Sequence, residues 1–220
     1  MSGAPRAVVF DCDGLLIDSE VRWAVAERRV VEQHGGVWTE ELREKLVGGS
    51  GDNTARHIAA AVGLPETAVP AILVDVYASY LAVLEELGVE PMAGAQSVVS
   101  AVARRLPIAV ASNTREQTVR ATLAASGLPA VFEHVLTPDQ GHRPKPAPDV
   151  YLAACEALGV APAEAVAFED SPPGVASARA AGMFVIAVPS DGIHDLEADL
   201  VLGSLLDLDP AVLGLERLAE

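Results

Sequence analysis

The chain has 220 residues, 50% of them apolar and 21% charged, a composition typical of a globular protein with a sizeable core. Its formal net charge is -16 and it contains no lysine/arginine cluster, which argues against a protein that binds nucleic acid by neutralising phosphates. The sequence shows no signal-peptide pattern, no apolar run near the ~18 residues of a membrane span, and only two cysteines. We therefore expect a reduced, cytoplasmic protein with no nucleic-acid or membrane partner.

The first predicted element is a short apolar strand, Ala7–Phe10, which leads directly into two acids, Asp11 and Asp13. Residues i and i+2 of an extended chain point to the same side, so the two carboxylates are predicted to face one cavity. Carboxylates held this close repel each other unless a cation or a shared proton lies between them. The alternative is a pair of solvated turn acids beside Gly14. Cys12, between the acids, is predicted to pack as a small apolar side chain.

Residues 18 to 89 are predicted to be almost wholly helical, with no strand. The first helix is expected to begin after an N-cap at Asp18 or Ser19. One face of it repeats at spacings of three and four, formed by Trp23, Ala26, Val30 and His34. Further helices are predicted at 40–46, 53–62 and 66–87.

Beyond residue 90 the pattern changes to apolar strands that alternate with helices. Strands are predicted at 108–111, 135–136, 165–168, 184–188 and 200–202. Helices are predicted at 116–125, 147–158 and 175–181, and after Pro210. This alternation favours a parallel sheet covered on both faces. The predicted fold is an α/β, Rossmann-like core formed by residues 1–17 and 90–220, with an inserted all-helical cap domain at 18–89.

Polar residues follow the predicted strands at their carboxyl ends, where ligands bind in open α/β sheets. These are Asp11 and Asp13 after the first strand, Ser112 and Asn113 after the next, Lys145 in the loop beyond the third, and Glu169 and Asp170 after the fourth. Because parallel strand ends meet at one edge of a sheet, these acids, hydroxyl and lysine are predicted to converge. Convergence favours a functional interpretation of the first acid pair over solvated turn acids.

Lys145 and the acids have a chemical interpretation together. The ammonium of Lys145 is a compact charge suited to holding a phosphate oxygen. The alternative is that Lys145 is an ordinary solvated lysine of a surface loop. Asp170 with Asp11 and Asp13 offers the oxygen ligands that Mg²⁺ prefers. Glu169 alternates away from its neighbour in an extended strand, so it either binds the metal or is a structural acid beside it.

Ser112 and Asn113 precede a helix whose start resembles a capping box, formed by Thr114 and Gln117. These residues either only cap the helix or also bind an anion through the hydroxyl and the amides at the helix start.

The four motifs together resemble those of the haloacid dehalogenase superfamily, in its phosphatase and β-phosphoglucomutase-like branch with a helical (C1-type) cap. The matching residues, in order and in strand context, are Asp11-x-Asp13-Gly14, Ser112, Lys145 and Glu169–Asp170, continued by Ser171-x-x-Gly174. The resemblance covers nearly the whole chain. It implies a Mg²⁺-dependent phosphatase that acts on a small phosphorylated metabolite, a sugar phosphate for preference. We expect a monomer or a small homo-oligomer.

The resemblance also implies a role for each residue. Asp11 would form an aspartyl-phosphate, and Asp13 would act as general acid and then as general base. Lys145 and Ser112, with Mg²⁺, would hold the phosphoryl oxygens, beside Asn113. The candidates for substrate choice, with helix capping, turn formation or a surface role as the alternative, are Asp18, Glu20, Gly49, Ser50 and His142.

Other reaction classes are less consistent with the sequence. A sugar phosphomutase of the β-phosphoglucomutase type would carry a cap histidine and basic residues, where this chain has Trp23, Val47 and Gly51. A haloacid dehalogenase would lack the second acid, which Asp13 supplies. A phosphonate hydrolase would use a cap lysine, yet Lys45 lies in a glutamate-rich helix where a solvated ion pair is expected. A non-catalytic phosphate-binding protein would show a damaged motif, and none is damaged.

Overall fold

The computed structural model describes residues 4–46, 49–190, 193 and 195–215. The chain folds into two compact units, one formed by Met1–Asp18 with Glu90–Glu220 and the other by Ser19–Val89. All the strands that the described residues form belong to the first unit, here called the α/β unit. The second is here called the helical unit, and its use as a cap stays a prediction.

The elements follow the chain in this order. The strands are β1 (Ala7–Phe10), β2 (Ile108–Ala111), β3 (His134–Leu136), β4 (Ala165–Glu169), β5 (Phe184–Ala187) and β6 (Leu200–Val201). The α-helices are α1 (Glu20–Gln33), α2 (Glu40–Leu46), α3 (Gly51–Ala61), α4 (Val69–Leu87), α5 (Ala95–Ala103), α6 (Glu116–Ala125), α7 (Asp149–Ala157) and α8 (Pro172–Ala181).

The strands of the α/β unit form one parallel sheet in the order β3-β2-β1-β4-β5-β6. Every residue of β1, β2 and β4 is buried, as strands covered on both faces require. The register pairs Phe10 with Val110 on one side and with Phe168 on the other, so the carboxyl ends of the three central strands lie level. The predicted α/β fold with a parallel sheet is confirmed.

Several helices of the α/β unit differ from the prediction. Helix α5 was not predicted, although Ser97 and Ser100 lie three residues apart on its less buried side. The helix expected after Pro210 is a short 3₁₀ helix, Pro210–Leu213, and residues 216–220 lie outside the described residues. Helix α8 begins earlier than predicted, because the Ser171 hydroxyl accepts a hydrogen bond from the Gly174 amide and caps it at Pro172.

The helical unit has its own apolar core. Val30 and Val31 of α1 are buried with Ile72 and Val76 of α4, and α3 packs against both helices. By length and composition alone, the segment Glu66–Leu87 could span a membrane, contrary to the expectation of no apolar run near that length. In the structure this segment contributes the buried side chains of α4 to the core, as the central helix of a packed bundle would.

One acid lies within the apolar face of α1. Glu27 is only 7% exposed, and the described residues give its carboxyl group no hydrogen bond or ion pair. Burial, together with the nearby charge of Glu20, raises the pKa of Glu27 to about 8. The carboxyl group is therefore protonated at neutral pH. One turn earlier on the same helix, the Trp23 ring stacks on Tyr80 with 3.7 Å between ring centroids.

Candidate active site

The strand ends bring an acid from β1 and an acid from β4 onto one lysine. Lys145 Nζ donates to Asp11 Oδ1 at 2.5 Å and to Glu169 Oε1 at 2.6 Å. All three side chains are buried. Asp11 follows β1 directly and Glu169 ends β4, its neighbour in the sheet, while Lys145 comes from the loop that leads into α7. The predicted convergence of Asp11, Lys145 and Glu169 is present in the structure.

Glu169 is surrounded by hydrogen-bond donors. Its Oε1 accepts from Lys145 Nζ and also from the Tyr151 hydroxyl, at 2.5 Å. Its Oε2 accepts from the Asp170 amide at 3.2 Å and from the Ser171 hydroxyl at 3.3 Å. Four donors occupy the lone pairs of one carboxylate, so these contacts favour a structural acid over a direct metal ligand.

Two glycines allow the backbone to approach the acids. A Cβ atom on Gly14, which has a φ of +83°, would overlap the Asp170 carboxylate and the Ser190 hydroxyl. A Cβ atom on Gly174 would overlap the Glu169 carboxylate in the same way. Ser190 donates its hydroxyl to Asp170 Oδ2, which orients that acid. Glycine at both positions is therefore a steric requirement of the site.

Asp13 is half-buried and has a different environment. Its Oδ2 accepts a hydrogen bond from Thr114 Oγ1 at 2.9 Å, and the Thr114 amide donates to the Ser112 hydroxyl at 3.0 Å. The predicted capping box is therefore wrong: α6 begins at Glu116, with Arg115 as its N-cap and no side-chain cap bond. Thr114 instead connects the acid after β1 to the hydroxyl after β2.

Asn113 holds the lysine loop. Its Oδ1 accepts from the Lys145 amide at 2.8 Å, and its Nδ2 donates to the Lys145 carbonyl at 3.3 Å. Both polar atoms of the Asn113 side chain are thus used on the backbone of the lysine. This arrangement favours a role in fixing Lys145, and binding of phosphate by Asn113 stays a prediction.

The site holds three clustered acids and one lysine, and only two of the acids contact the lysine. One ligand oxygen from each of Asp11, Glu169 and Asp170 lies within 4.8 Å of the other two. Three carboxylates beside one ammonium leave two negative charges when all are ionised. This excess and the oxygen-only donor set fit a divalent cation of the Mg²⁺ type. The side chain of Asp13 lies outside this cluster, so its part as a metal ligand stays a prediction.

The pKa values reflect the same imbalance. Burial raises the pKa of Asp11 well above its usual value, which Lys145 offsets only in part. Burial and then the charge of Glu169 raise the pKa of Asp170 to about 7. Burial alone would lower the pKa of Lys145, but Asp11 and Glu169 reverse that effect and raise it. The lysine therefore stays an ammonium while its carboxyl neighbours compete for protons.

Two further groups of the site are held protonated. Burial raises the pKa of Tyr151 well above its usual value, and the charge of Glu169 adds to the effect, so the phenol acts only as a donor. Burial, with the charge of Asp13, raises the pKa of the Cys12 thiol. Cys12 is fully buried, as predicted, and this thiol is a packing group without nucleophilic character.

The predicted substrate-choice residues lie apart from the acid cluster in sequence. Glu20 begins α1 and forms an ion pair with Arg43 at 3.6 Å. Ser50 is the N-cap of α3, and Gly49 precedes it. His142 is half-buried in the loop before Lys145. Capping by Ser50 is therefore a fact of the structure, while contact of any of these residues with substrate stays a prediction.

Two residues that contact the acids, Ser190 and Tyr151, were not among the predicted site residues. Ser190 lies just past the end of β5, and listing the residues after that strand as well would have found it. Tyr151 lies inside α7, where only its place on the buried face with Val150 and Ala154 marked it, and that pattern is typical of an ordinary core residue.

The chain matches known proteins over most of its length. The family described as haloacid dehalogenase-like hydrolase matches residues 5–182. Hexitol phosphatase A of Escherichia coli (strain K12) is 34% identical over 207 residues, which cover 91% of each chain. The phosphorylated carbohydrates phosphatase of Thermotoga maritima is 29% identical over 213 residues, covering 93% of this chain and 94% of that protein.

Solved structures show the same fold. The crystal structure of CbbY from Rhodobacter sphaeroides in complex with phosphate superposes with a TM-score of 0.84 at 28% identity, covering 96% of this chain and 100% of that chain. Together with the family match and the sheet-edge cluster of acids and lysine, this likeness leads to one conclusion. The chain belongs to the haloacid dehalogenase-like hydrolase family.

Proposed function

We propose that this chain is a Mg²⁺-dependent phosphatase that hydrolyses a small phosphorylated metabolite through an aspartyl-phosphate on Asp11. The observation that carries the proposal is the buried carboxylate of Asp11 held 2.5 Å from Lys145 at the carboxyl edge of the sheet. Hexitol phosphatase A and the phosphorylated carbohydrates phosphatase are named for carbohydrate phosphates, which supports a sugar phosphate as the substrate.

Asp11 is the proposed nucleophile. One Asp11 oxygen forms a bond to phosphorus while the bond between phosphorus and the ester oxygen breaks. Asp13, protonated at this stage, gives its proton to the departing alkoxide, so the product leaves as a neutral alcohol. The Thr114 hydroxyl, 2.9 Å from Asp13 Oδ2, fixes the carboxyl group for this transfer.

Hydrolysis of the intermediate reuses the same groups. Asp13, now ionised, takes a proton from the attacking water, and the new bond from water oxygen to phosphorus replaces the bond to Asp11. Asp11 is regenerated as a carboxylate and inorganic phosphate leaves. Lys145 faces the phosphoryl oxygens in both steps, because its ammonium is already held against Asp11.

The acid cluster is the proposed metal site. Asp11 and Asp170 would hold the ion, and Glu169, with its four donors, would lie beside it. When bound, Mg²⁺ supplies positive charge that neutralises the phosphoryl oxygens. Asp170 is oriented for this role by the Ser190 hydroxyl.

The helical unit is the proposed source of substrate choice, through Glu20, Gly49 and Ser50. One observation weighs against the phosphomutase alternative. A Cβ atom on Gly51 would lie 2.6 Å from the Tyr77 hydroxyl, so this position has no room for the basic side chain that a second phosphate needs. A cytoplasmic location and a monomeric or small homo-oligomeric state stay predictions.

Phosphate release from a panel of phosphorylated sugars, nucleotides and small acids, with and without Mg²⁺, tests the proposal. We expect release that needs Mg²⁺ and that Asp11→Asn abolishes, while Lys45→Met serves as the matched control outside the site. Wild-type activity in purified Asp11→Asn would refute the covalent mechanism. Interconversion of a sugar 1-phosphate and 6-phosphate without net phosphate release would establish the mutase instead.

A further inference from the structure

Tyr151 lies outside every motif of the sequence, yet it contacts both members of a buried ion pair. Its side chain is fully buried, and its hydroxyl donates to Glu169 Oε1 at 2.5 Å. Lys145 Nζ donates to the same oxygen at 2.6 Å and lies 5.1 Å from the centroid of the Tyr151 ring. One side chain thus binds the acid through its hydroxyl and faces the ammonium with its ring.

A packing role explains the Tyr151 ring but not its hydroxyl. Phenylalanine would fill nearly the same volume on the buried face of α7 without placing a polar atom in the core. A buried hydroxyl is costly unless it is hydrogen-bonded, and here its partner is the oxygen of an acid that pairs with the Lys145 ammonium, which is the stronger kind of acceptor. The hydroxyl is therefore matched to Glu169 specifically.

The position of the ammonium depends on this hydroxyl. Lys145 has three N–H donors, and a carboxylate with a free Oε1 would attract more than one of them. Because Tyr151 already occupies Glu169 Oε1, the lysine is shared between that oxygen and Asp11 Oδ1. The ring on one side of the ammonium adds a cation–π contact that restricts it further.

We propose that Tyr151 is a positioning residue that, through Glu169, fixes the Lys145 ammonium against Asp11. This inference rests on the proposed function, in which Lys145 faces the phosphoryl oxygens during attack by Asp11. A displaced ammonium would be misaligned with the charge that develops on those oxygens, which lowers the rate more than it weakens substrate binding.

Steady-state kinetics of Tyr151→Phe, which removes only the hydroxyl, tests the proposal. We expect kcat to fall about 10-fold with a smaller change in KM, since one hydrogen bond to a charged group is lost. The matched control is Cys155→Ala, because Cys155 lies one turn further along the same buried face and contacts Met183 instead of the ion pair. This control measures how far destabilisation of α7 alone changes kcat.

A second readout does not depend on activity. The chain has only two lysines, so carbon-13 at the lysine ε position gives two NMR signals, with the exposed Lys45 as internal reference. In the wild type, the ring of Tyr151 should move the Lys145 ε protons upfield of those of Lys45. In Tyr151→Phe the Lys145 signal should move again, as the ammonium shifts, while Cys155→Ala leaves it unchanged.

The outcomes separate the two proposals. Unchanged kcat and an unchanged Lys145 signal in Tyr151→Phe would overturn the positioning role. The role would also be overturned if Tyr151→Phe and Cys155→Ala, with the same unfolding free energy, lost kcat to the same extent. If Tyr151→Phe fails to fold, the wild-type protein alone still tests the positioning role. That role would be overturned if the Lys145 ε protons of the wild type were not upfield of those of Lys45. A wild type without phosphatase activity would refute the proposed function, while the Lys145 signals would still report on Tyr151.

Discussion

Two buried glutamates, one in each unit, have opposite surroundings. Glu169 of the α/β unit is fully buried and accepts from four donors, among them the Lys145 ammonium and the Tyr151 hydroxyl. Glu27 of the helical unit is 7% exposed, and the described residues give its carboxyl group no donor. Burial then raises the pKa of Glu27 to about 8. Burial makes a carboxylate costly, and of these two sites only at Glu169 does the described part of the chain offset that cost with a cation and hydrogen-bond donors.

The contrast also shows where the chain concentrates its electrostatic control. The α/β unit places one of only two lysines beside three acids, at the point where the strand ends converge. Glu27 instead interrupts the apolar face of α1 beside Val30 and Val31. The first arrangement suits charge that changes during a reaction, because preorganised donors need no rearrangement. The second makes the stability of the helical unit depend on pH.

Removal of the lysine should produce the largest effect. Lys145→Met leaves Asp11 and Glu169 without their cation, and breaking a buried pair in this way costs about 3–5 kcal/mol of unfolding free energy. The loss of a charged donor that faces the phosphoryl oxygens should also lower kcat about 10²–10³-fold. Urea denaturation of metal-free protein and phosphate-release kinetics measure the two losses. Unfolding free energy equal to that of the wild type would show that the acids do not need Lys145 for burial.

Glu27→Gln should change stability in the opposite direction. Glu27 has a pKa of about 8 in the folded protein against 4.5 as its ordinary value, so the folded state keeps a proton that the unfolded state releases. Its contribution to stability is fully present below about pH 4.5 and falls by about 1.4 kcal/mol per pH unit until it is lost above about pH 8. Glutamine has no proton to lose, so the variant should be about 4 kcal/mol more stable near pH 7.5, three pH units above 4.5, and gain little near pH 4.5.

The difference in urea midpoint between wild type and Glu27→Gln across that pH range checks this prediction, since other titrating groups cancel in the difference. Glu27→Met, which removes the polar atoms as well, is the companion variant and should be at least as stable as the glutamine variant. A difference that does not change with pH would mean that Glu27 has the same pKa in the folded and unfolded chains.

The environment of Asp13 is intermediate between those of Glu169 and Glu27. Asp13 is half-buried, and its carboxyl group accepts a hydrogen bond from Thr114 at 2.9 Å. Thr114→Val removes that donor and keeps the side-chain shape. A net loss of about 1–2 kcal/mol in transition-state stabilisation is expected, which corresponds to a kcat about 5- to 30-fold lower. Thr122→Val on α6 is the matched control, because its hydroxyl donates to a backbone carbonyl within the helix. Equal kcat in the two variants would remove Thr114 from the site.

The sequence predicted most of the sheet and the convergence of its strand ends, for a physical reason. A buried parallel strand is a short continuous apolar run, and the polar residues that follow it can be identified without knowledge of packing. Asp11, Lys145 and Glu169 were found in this way. The alternation of Glu169 with Asp170 at the end of β4 could not show that Glu169 contacts the lysine. That contact depends on the loop that carries Lys145, which sequence spacing does not place.

Residues inside helices were harder to interpret. The stripe of Trp23, Ala26 and Val30 predicted the buried face of α1, but the same spacing hid Glu27, which an i+4 step from Trp23 places on that face. Tyr151 was missed because a buried aromatic residue in a helix is usually packing alone. The bounds of α6 were predicted correctly, but its capping box was not, because the Thr114 hydroxyl bonds to Asp13 instead of capping the helix.

The smallest expected effect belongs to the other lysine. Lys45 donates to Glu41 at 2.7 Å on α2, but the side chains are 51% and 79% exposed, so solvent screens the pair. Lys45→Met should therefore leave both the urea midpoint and kcat unchanged within error, in contrast to Lys145→Met. The result also distinguishes reaction classes, because a phosphonate hydrolase would depend on a lysine of the helical unit. Loss of activity in Lys45→Met would place Lys45 in the chemistry and would end the contrast between the two lysines.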